Sequence, residues 1–445
     1  MSITPQTTSN YIKNFPFPTL RDKQSYVLKE IDAAFTSGYK YIVLEAPTGF
    51  GKSPVAIATA STLGSSYICT STKDLQTQYA RDFPFIQVAK GKNNFTCEVK
   101  DDFIRNGTYK CKACGLGPLD HAFRGRGRTT CFHTSVEYGP CMSDDEFDCK
   151  YKTMLKDYAT INKRTKQERI VLAEGRYRSA YSEWLYLDNF REDIIRDWRP
   201  CQYYHQLNTA LAASNSVLNY AMFLAIMNKN LPSRELLVLD EAHLLETEVV
   251  KFIGISISRK KWRKYILDLK INNHGEKYDV IRWLDFIEDL KENLLDVKTK
   301  IPSDNKELLV DAQQDIEKLD TTIESISSNT SNWIVSEIKM EGDNDIINVE
   351  LKPLDVSPYC KDVFTKCGKT LMMSATILDV KTFCKSIGLS YNDVKVIRVG
   401  SDFSLKRRPI QVRNVAYLNY NELQKNEVKS AIASGIDRIM TFHKQ

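Results

Sequence analysis

The chain has 445 residues, which is too long for one ordinary domain, and 42% of them are hydrophobic, which excludes a disordered chain. Its formal charge of +6 permits a nucleic-acid partner without requiring one. The sequence has no run of about 20 apolar residues, and its polar N-terminus, MSITPQTTSN, lacks the regions of a signal peptide. We therefore expect a cytoplasmic protein that does not enter a membrane.

Residues 40–62 have the order strand, loop and helix. The apolar run at residues 41–44 predicts a β-strand, and small residues at 55–58 predict the start of a helix. The sequence APTGFGKS between them predicts a phosphate-binding loop, since its backbone N–H groups and the helix N-terminus favour an anion. We expect Lys52 to contact the β- and γ-phosphates of ATP and Ser53 to ligate Mg²⁺. The predicted nucleotide-binding residues of the loop are Ala46, Pro47, Thr48, Gly49, Phe50, Gly51, Lys52 and Ser53.

A second strand is predicted at residues 67–70, and a polar, cysteine-rich segment follows it. Seven of the eleven cysteines lie between Cys97 and Cys201, and in a reducing compartment clustered cysteines more often hold metal than form disulfides. The spacing C-x2-C and then C-x-H suits tetrahedral zinc, while a C-x13-C-x2-C spacing allows an iron–sulfur set. The zinc set is Cys111, Cys114, Cys131 and His133, and the second set begins with Cys97, Cys111 and Cys114. We expect the remaining cysteines to pack as small apolar residues, and these are Cys69, Cys360, Cys367 and Cys384.

The apolar run at residues 236–239 predicts a buried strand that ends in two carboxylates. Asp240 suits coordination of Mg²⁺, and Glu241 suits positioning of the water that attacks the γ-phosphate. Together with Lys52 these residues predict ATP hydrolysis. A fourth strand is predicted at residues 370–373, and in an open parallel α/β sheet the ligand chemistry gathers at the carboxyl ends of such strands.

Several motifs, in this order, resemble those of the XPD and DinG group of iron–sulfur helicases in superfamily 2. The tetrad DEAH at residues 240–243, followed by SAT at 374–376, has the order of superfamily 2. The segment FPFP at residues 15–18, with Arg21 and Gln24, resembles the group's adenine-side motif. Further segments that resemble the group are TSTKDLQTQ at 70–78, ASNSVLNY at 213–220, LDVSPY at 354–359 and SDF at 401–403.

The resemblance implies an α/β fold in which a RecA-like P-loop parallel sheet is interrupted by an iron–sulfur insert and by a helical arch insert. The expected parts are a RecA-like domain in three pieces (1–90, 206–247 and 351–403), the iron–sulfur insert (91–205), the arch (248–350) and the start of a second RecA-like domain (404–445). It also implies a 4Fe–4S cluster, whose ligands would be Cys97, Cys141, Cys149 and Cys201. His243 and Thr376 would couple ATP hydrolysis to contact with DNA.

The implied activity is ATP-dependent movement from 5′ to 3′ on single-stranded DNA or a forked duplex, in DNA repair. Basic runs at residues 124–128, 163–166 and 259–264 suit phosphate contacts. The expected second domain has little sequence, because only residues 439–445 look like its first strand. The alternatives are therefore a DNA-stimulated ATPase that does not unwind without a second motor domain or a repair protein, and a metal-stapled binding module. RNA stays open as the substrate.

Overall fold

The computed structural model describes residues 9–97, 135–136, 201–227, 231–262, 265, 278–302, 306–341, 345–401, 415–416, 419 and 421–443. The strands are β1 (Tyr41–Glu45), β2 (Ser66–Thr70), β3 (Gln87–Val88), β4 (Asn215–Asn219), β5 (Arg234–Asp240), β6 (Ile255–Ser258), β7 (Trp333–Glu341), β8 (Asp345–Pro353), β9 (Cys367–Ser374) and β10 (Val394–Arg398). The α-helices are α1 (Asn10–Lys13), α2 (Asp22–Thr36), α3 (Lys52–Leu63), α4 (Lys73–Asp82), α5 (Gln202–Ala212), α6 (Tyr220–Ile226), α7 (Leu245–Ile253), α8 (Arg259–Trp262), α9 (Val280–Lys300), α10 (Lys306–Ser328), α11 (Ser357–Thr365), α12 (Val380–Ser386) and α13 (Asn426–His443).

Seven strands form one parallel sheet in the order β10-β1-β9-β5-β2-β4-β3. The four predicted strands correspond to β1, β2, β5 and β9, so the prediction of a parallel α/β sheet is confirmed. The sequence analysis missed β3, β4 and β10. Strand β9 lies between β1 and β5, which places the end of the phosphate-loop strand and the end of the acidic strand on either side of Ser374.

The sheet is buried on both faces, and successive residues of a strand enter different cores. In β1, Val43 belongs to one hydrophobic cluster, whereas Ile42 and Leu44 belong to another. The central strands are near-continuous apolar runs because parallel sheets are covered by helices on both sides. The first cluster also contains Cys97 and Cys201, and we call it the insert-side core. The second contains the buried face of α3, and we call it the loop-side core.

The region predicted as a helical arch is only partly helical. The long helices α9 and α10 pack together, as expected, but β6, β8 and β7 form a three-stranded antiparallel sheet beside them. The sequence analysis predicted a helical insert and did not predict this sheet. Strand β8 alternates Val349 and Leu351, which are buried, with the more exposed Glu350, which is the pattern of a sheet with one covered face. Helices and sheet share a third core that includes Trp283 and Trp333.

The chain divides into two compact units, Met1–Val399 and Gly400–Gln445. In the second unit, the structure shows α13 up to His443 where the sequence analysis expected a strand at residues 439–445. That expectation is wrong, because Ile436, Ile439 and Met440 recur at helical spacing and an apolar run this short does not distinguish strand from helix. The start of a second RecA-like domain in this unit stays a prediction.

Two further expectations concern the four cysteines outside the insert and the absence of a membrane span. Cys69, Cys360, Cys367 and Cys384 are all buried and unpaired by disulfides, which confirms that they pack as core residues. In the described part of the chain, no helix combines the length and the apolar character that a membrane span requires.

Candidate nucleotide-binding site

The phosphate loop joins β1 to α3 and depends on two glycines with left-handed backbone. Gly49 has a φ of 81°, and Gly51, which precedes the first residue of α3, has a φ of 89°. Such angles are open to glycine because it lacks a Cβ. The start of the loop is tied to the sheet, since the Ala46 N–H donates to the Ser374 carbonyl over 3.0 Å. The crest at Thr48 and Gly49 is exposed to an incoming ligand.

Arg21 and Gln24 support this loop from the start of α2. The Arg21 guanidinium donates to the Gly49 carbonyl over 2.8 Å, and the Gln24 amide donates to the Phe50 carbonyl over 2.9 Å. The Gln24 side-chain oxygen accepts from the Arg21 N–H over 3.1 Å, and Gln24 is only 4% exposed. Both predicted residues thus contact the loop, where they fix two of its carbonyl groups. Their contact with an adenine stays a prediction.

Lys52 and Ser53 occupy the first turn of α3. The Lys52 ammonium donates back to the Ala46 carbonyl over 3.2 Å, so it spans the loop. The N–H groups of this turn have no intrahelical acceptors, and the helix dipole is positive there. Pro54 lies in the same turn, where its missing N–H is not needed. The loop, Lys52 and the helix N-terminus together can bind an anion of the polyphosphate type.

Asp240 ends β5 and is buried, with 3% of its surface exposed. Its Oδ1 accepts the Glu241 N–H over 3.1 Å, and its Oδ2 accepts the Tyr79 hydroxyl over 3.0 Å. The pKa of Asp240 is raised from 3.8 to about 6, chiefly by burial and also by the charge of Glu241, while the Tyr79 hydrogen bond and the Lys52 charge act in the opposite direction. Strand β9 lies between β1 and β5, so the phosphate loop and Asp240 lie on either side of Ser374.

Glu241 and His243 follow in a tight turn. Glu241 has a φ of 54°, an uncommon left-handed conformation for a residue other than glycine. His243 Nδ1 lies 2.8 Å from Ser374 Oγ and 3.4 Å from Glu241 Oε2. The Thr376 N–H donates to the same Ser374 hydroxyl over 3.1 Å. The structure therefore brings the DEAH and SAT motifs together through one serine.

Two buried tyrosines adjoin Asp240, and the sequence analysis gave neither of them a role. Tyr79, on α4, contacts the Asp240 carboxylate, and Tyr220, at the start of α6, donates to the Asp240 carbonyl over 3.0 Å. Burial raises the pKa of both phenols well above 10. Tyr79 follows one segment that resembles the helicase group and Tyr220 ends another, yet a tyrosine in an apolar pattern is interpreted as a core residue from sequence alone.

The predicted metal ligands are only partly described. Cys141 and Cys149 lie outside the described residues, as do the alternatives Cys111, Cys114, Cys131 and His133. Cys97 and Cys201 are both buried in the insert-side core. Within the described ranges no group of three or more histidine, cysteine or acidic side chains is arranged to hold a metal ion.

The aromatic neighbours of these cysteines meet. The rings of Phe95 and Tyr203, each two residues from a cysteine, have centroids 6.0 Å apart. Cys97 and Cys201 are 104 residues apart in sequence. The two ends of the insert therefore converge at one place in the core.

Comparison with known proteins finds similarity among solved structures. The chain is similar to an XPD helicase with 15% identity and a TM-score of 0.48, over 86% of this chain and 62% of that one. A truncated XPD is similar with 14% identity and a TM-score of 0.43, over 84% of this chain and 98% of that one. An Xpd4 protein of S. tokodaii is similar with 14% identity and a TM-score of 0.35, over 86% of this chain and 61% of that one. The chain thus spans about three fifths of the XPD helicase. No protein-family model and no curated protein matches it.

Proposed function

We propose that this chain is an ATP-hydrolysing motor of the helicase type that acts on single-stranded DNA. One observation carries the proposal: Ser374 joins the two motifs, since its carbonyl accepts the Ala46 N–H of the phosphate loop over 3.0 Å and its hydroxyl lies 2.8 Å from Nδ1 of His243. The loop and the carboxylates are therefore halves of a single site. A hydroxyl and a carboxylate are the oxygen ligands that suit Mg²⁺, so Ser53 and Asp240 fit its requirements.

Each side chain of the proposed ATP site would have its own role in hydrolysis. Lys52 would leave the Ala46 carbonyl and bind the β- and γ-phosphates, while the loop N–H groups hold the remaining phosphate oxygens. When bound, Mg²⁺ neutralises charge that develops on the transferring phosphoryl group. Glu241 would orient the attacking water and accept its proton. His243 contacts both Glu241 and Ser374. A movement of the SAT motif would therefore change the position of Glu241 through His243.

Hydrolysis is tested by ATPase assays with and without single-stranded DNA. Glu241→Gln should keep ATP binding and lower turnover by about 10² to 10⁴, since the carboxylate is the general base. Lys52→Ala should abolish binding of ATP. Glu337→Gln is a matched control, because this glutamate lies on β7 in the insert and is well exposed. Full turnover in Glu241→Gln would refute the assigned role of Glu241.

An iron–sulfur cluster at the insert is the second part of the proposal. Thiolates are the ligands of such clusters, and Cys97 and Cys201 supply two of them at one place in the core. Cys141 and Cys149 would complete the set. Anaerobically purified protein should contain about four irons and four sulfides. Cys201→Ser should lose iron, whereas Cys360→Ser, a buried cysteine outside the insert, should keep it. Zinc without iron would overturn the cluster and favour the zinc alternative.

Movement from 5′ to 3′, a forked duplex as substrate and a role in DNA repair complete the proposal. A strand-displacement assay on duplexes with a 5′ or a 3′ single-stranded tail tests the direction, and only the first should be unwound. RNA of the same sequence serves as the competitor that distinguishes the two nucleic acids. Unwinding of the 3′-tailed duplex alone would contradict the direction.

A DNA-stimulated ATPase that does not unwind alone is the second candidate. The observation that favours it is that the described residues form one seven-stranded parallel sheet with one phosphate loop. In the helicase group, by resemblance, a second RecA-like domain completes the ATP site. DNA-stimulated hydrolysis without strand displacement would support this candidate.

A further inference from the structure

Tyr79 contacts the acidic strand of the proposed ATP site. It lies on α4, is 1% exposed and donates from its hydroxyl to Asp240 Oδ2 over 3.0 Å. Neither composition nor any motif of the chain assigns a role to this tyrosine, and ATP hydrolysis as described above does not use it.

The direction of this hydrogen bond follows from the available protons. A phenol has one proton, and an ionised carboxylate can only accept, so Tyr79 donates to Asp240. On Asp240, one bond to each oxygen leaves further lone pairs on both.

The aromatic surroundings hold the phenol in place. The Tyr79 ring lies 5.8 Å from the Phe83 ring, measured between centroids, and the Phe83 ring lies 5.6 Å from that of Phe17. Phe83 is itself buried, at 2% exposure. Aromatic pairs at such separations add to the stabilisation that their burial gives. The hydroxyl is therefore fixed by a packed side chain on a regular helix.

We propose that Tyr79 is a positioning residue of the Mg²⁺ site, whose hydroxyl orients the Asp240 carboxylate toward the cation. The proposal rests on the proposed ATP site. Hydrogen-bond partners that orient metal ligands typically change metal affinity about 10- to 100-fold when they are removed. Tyr79 would therefore set how much Mg²⁺ the nucleotide site requires, without contacting the nucleotide.

Tyr220 provides a matched control. It is equally buried, at 1% exposure, and its hydroxyl donates to the same residue, but to the backbone carbonyl of Asp240. Tyr79→Phe and Tyr220→Phe each delete one buried phenol oxygen near Asp240. Only the first deletion removes a partner of the Asp240 side chain, which would ligate Mg²⁺.

The experiment measures binding of a fluorescent ATP analogue to the full chain during a Mg²⁺ titration. Tyr79→Phe should raise the half-saturating Mg²⁺ concentration about 10-fold and leave binding without Mg²⁺ unchanged. Tyr220→Phe should match the wild type in both measurements. The proposal is overturned if Tyr79→Phe has the wild-type Mg²⁺ requirement, or if both variants shift it equally. Absence of analogue binding by the wild type would instead refute the proposed ATP site.

A second variant covers the case in which Tyr79→Phe does not fold. Phe83→Leu keeps the phenol but loosens its packing, and it should raise the Mg²⁺ requirement in the same direction by a smaller factor. An unchanged requirement in Phe83→Leu would count against the proposal.

Discussion

Replacing Gly51 by alanine tests whether Gln24 locks the phosphate loop. A Cβ on Gly51 would lie 2.4 Å from Gln24 Nε2, and the backbone there has a φ of 89°. Left-handed backbone costs alanine about 1–2 kcal/mol. Gln24 must also move, and breaking its buried bond to the Phe50 carbonyl costs about 1–3 kcal/mol more. We expect the free energy of unfolding to fall by roughly 2–5 kcal/mol, the sum of these contributions.

Gly64 supplies the control because it ends the same helix, α3, that Gly51 begins. Its φ is 90°, and among the described residues no atom lies within 4 Å of an added Cβ. Its ψ of −34° lies outside the left-handed helical region, so Gly64→Ala should cost only the backbone contribution of about 1–3 kcal/mol for a sparsely populated conformation. Urea unfolding of both variants measures the difference, and an ATP analogue should bind normally to Gly64→Ala but weakly to Gly51→Ala. Equal stability losses in the two variants would refute the locking by Gln24.

Two other features give testable expectations. Because the pKa of Asp240 rises from 3.8 to about 6 on folding, the folded protein binds more protons than the unfolded chain between these values, and stability should fall as pH rises from about 4 to 6. Urea unfolding across this range should show a smaller fall in Asp240→Asn, and an identical fall would contradict the assignment. The buried guanidinium of Arg234 donates to the carbonyls of Ser66 and Ala213 over 2.5 and 2.7 Å and lies over the Tyr67 ring. Arg234→Met leaves these carbonyls unpaired and should lower the free energy of unfolding, measured in urea, by about 3–5 kcal/mol. A loss below about 1 kcal/mol would show that water replaces the guanidinium.

The residues of the candidate nucleotide site could be predicted where they are contiguous in sequence. The run from Ala46 to Ser53 and the tetrad from Asp240 carry their own strand and helix signals, and the structure places both at the carboxyl ends of parallel strands. The contact between His243 and Ser374 joins residues 131 positions apart. Their motifs were recognisable, but the hydrogen bond depends on β9 lying beside β5, which no local pattern specifies.

The residues that the sequence did not reveal act through distant partners. Tyr79 and Asp240 are 161 positions apart, and Arg234 reaches back 168 positions to Ser66. Strands β6 to β8 were missed because they lie in a charged region next to two long helices, although β7 and β8 have nine residues each. The strand expected near Ile439 was wrong for a related reason, since a few apolar residues fit either period when no partner strand is known.

The two cores lie on opposite faces of the parallel sheet. Val43 belongs to the core that also contains the converging ends of the cysteine segment, while Ile42 and Leu44 belong to the core that supports α3. A substitution at Val43 therefore disturbs different neighbours from a substitution at Ile42 or Leu44. The alternation of side chains along one strand thus lets the packing around the cysteine segment change without repacking the helix behind the phosphate loop.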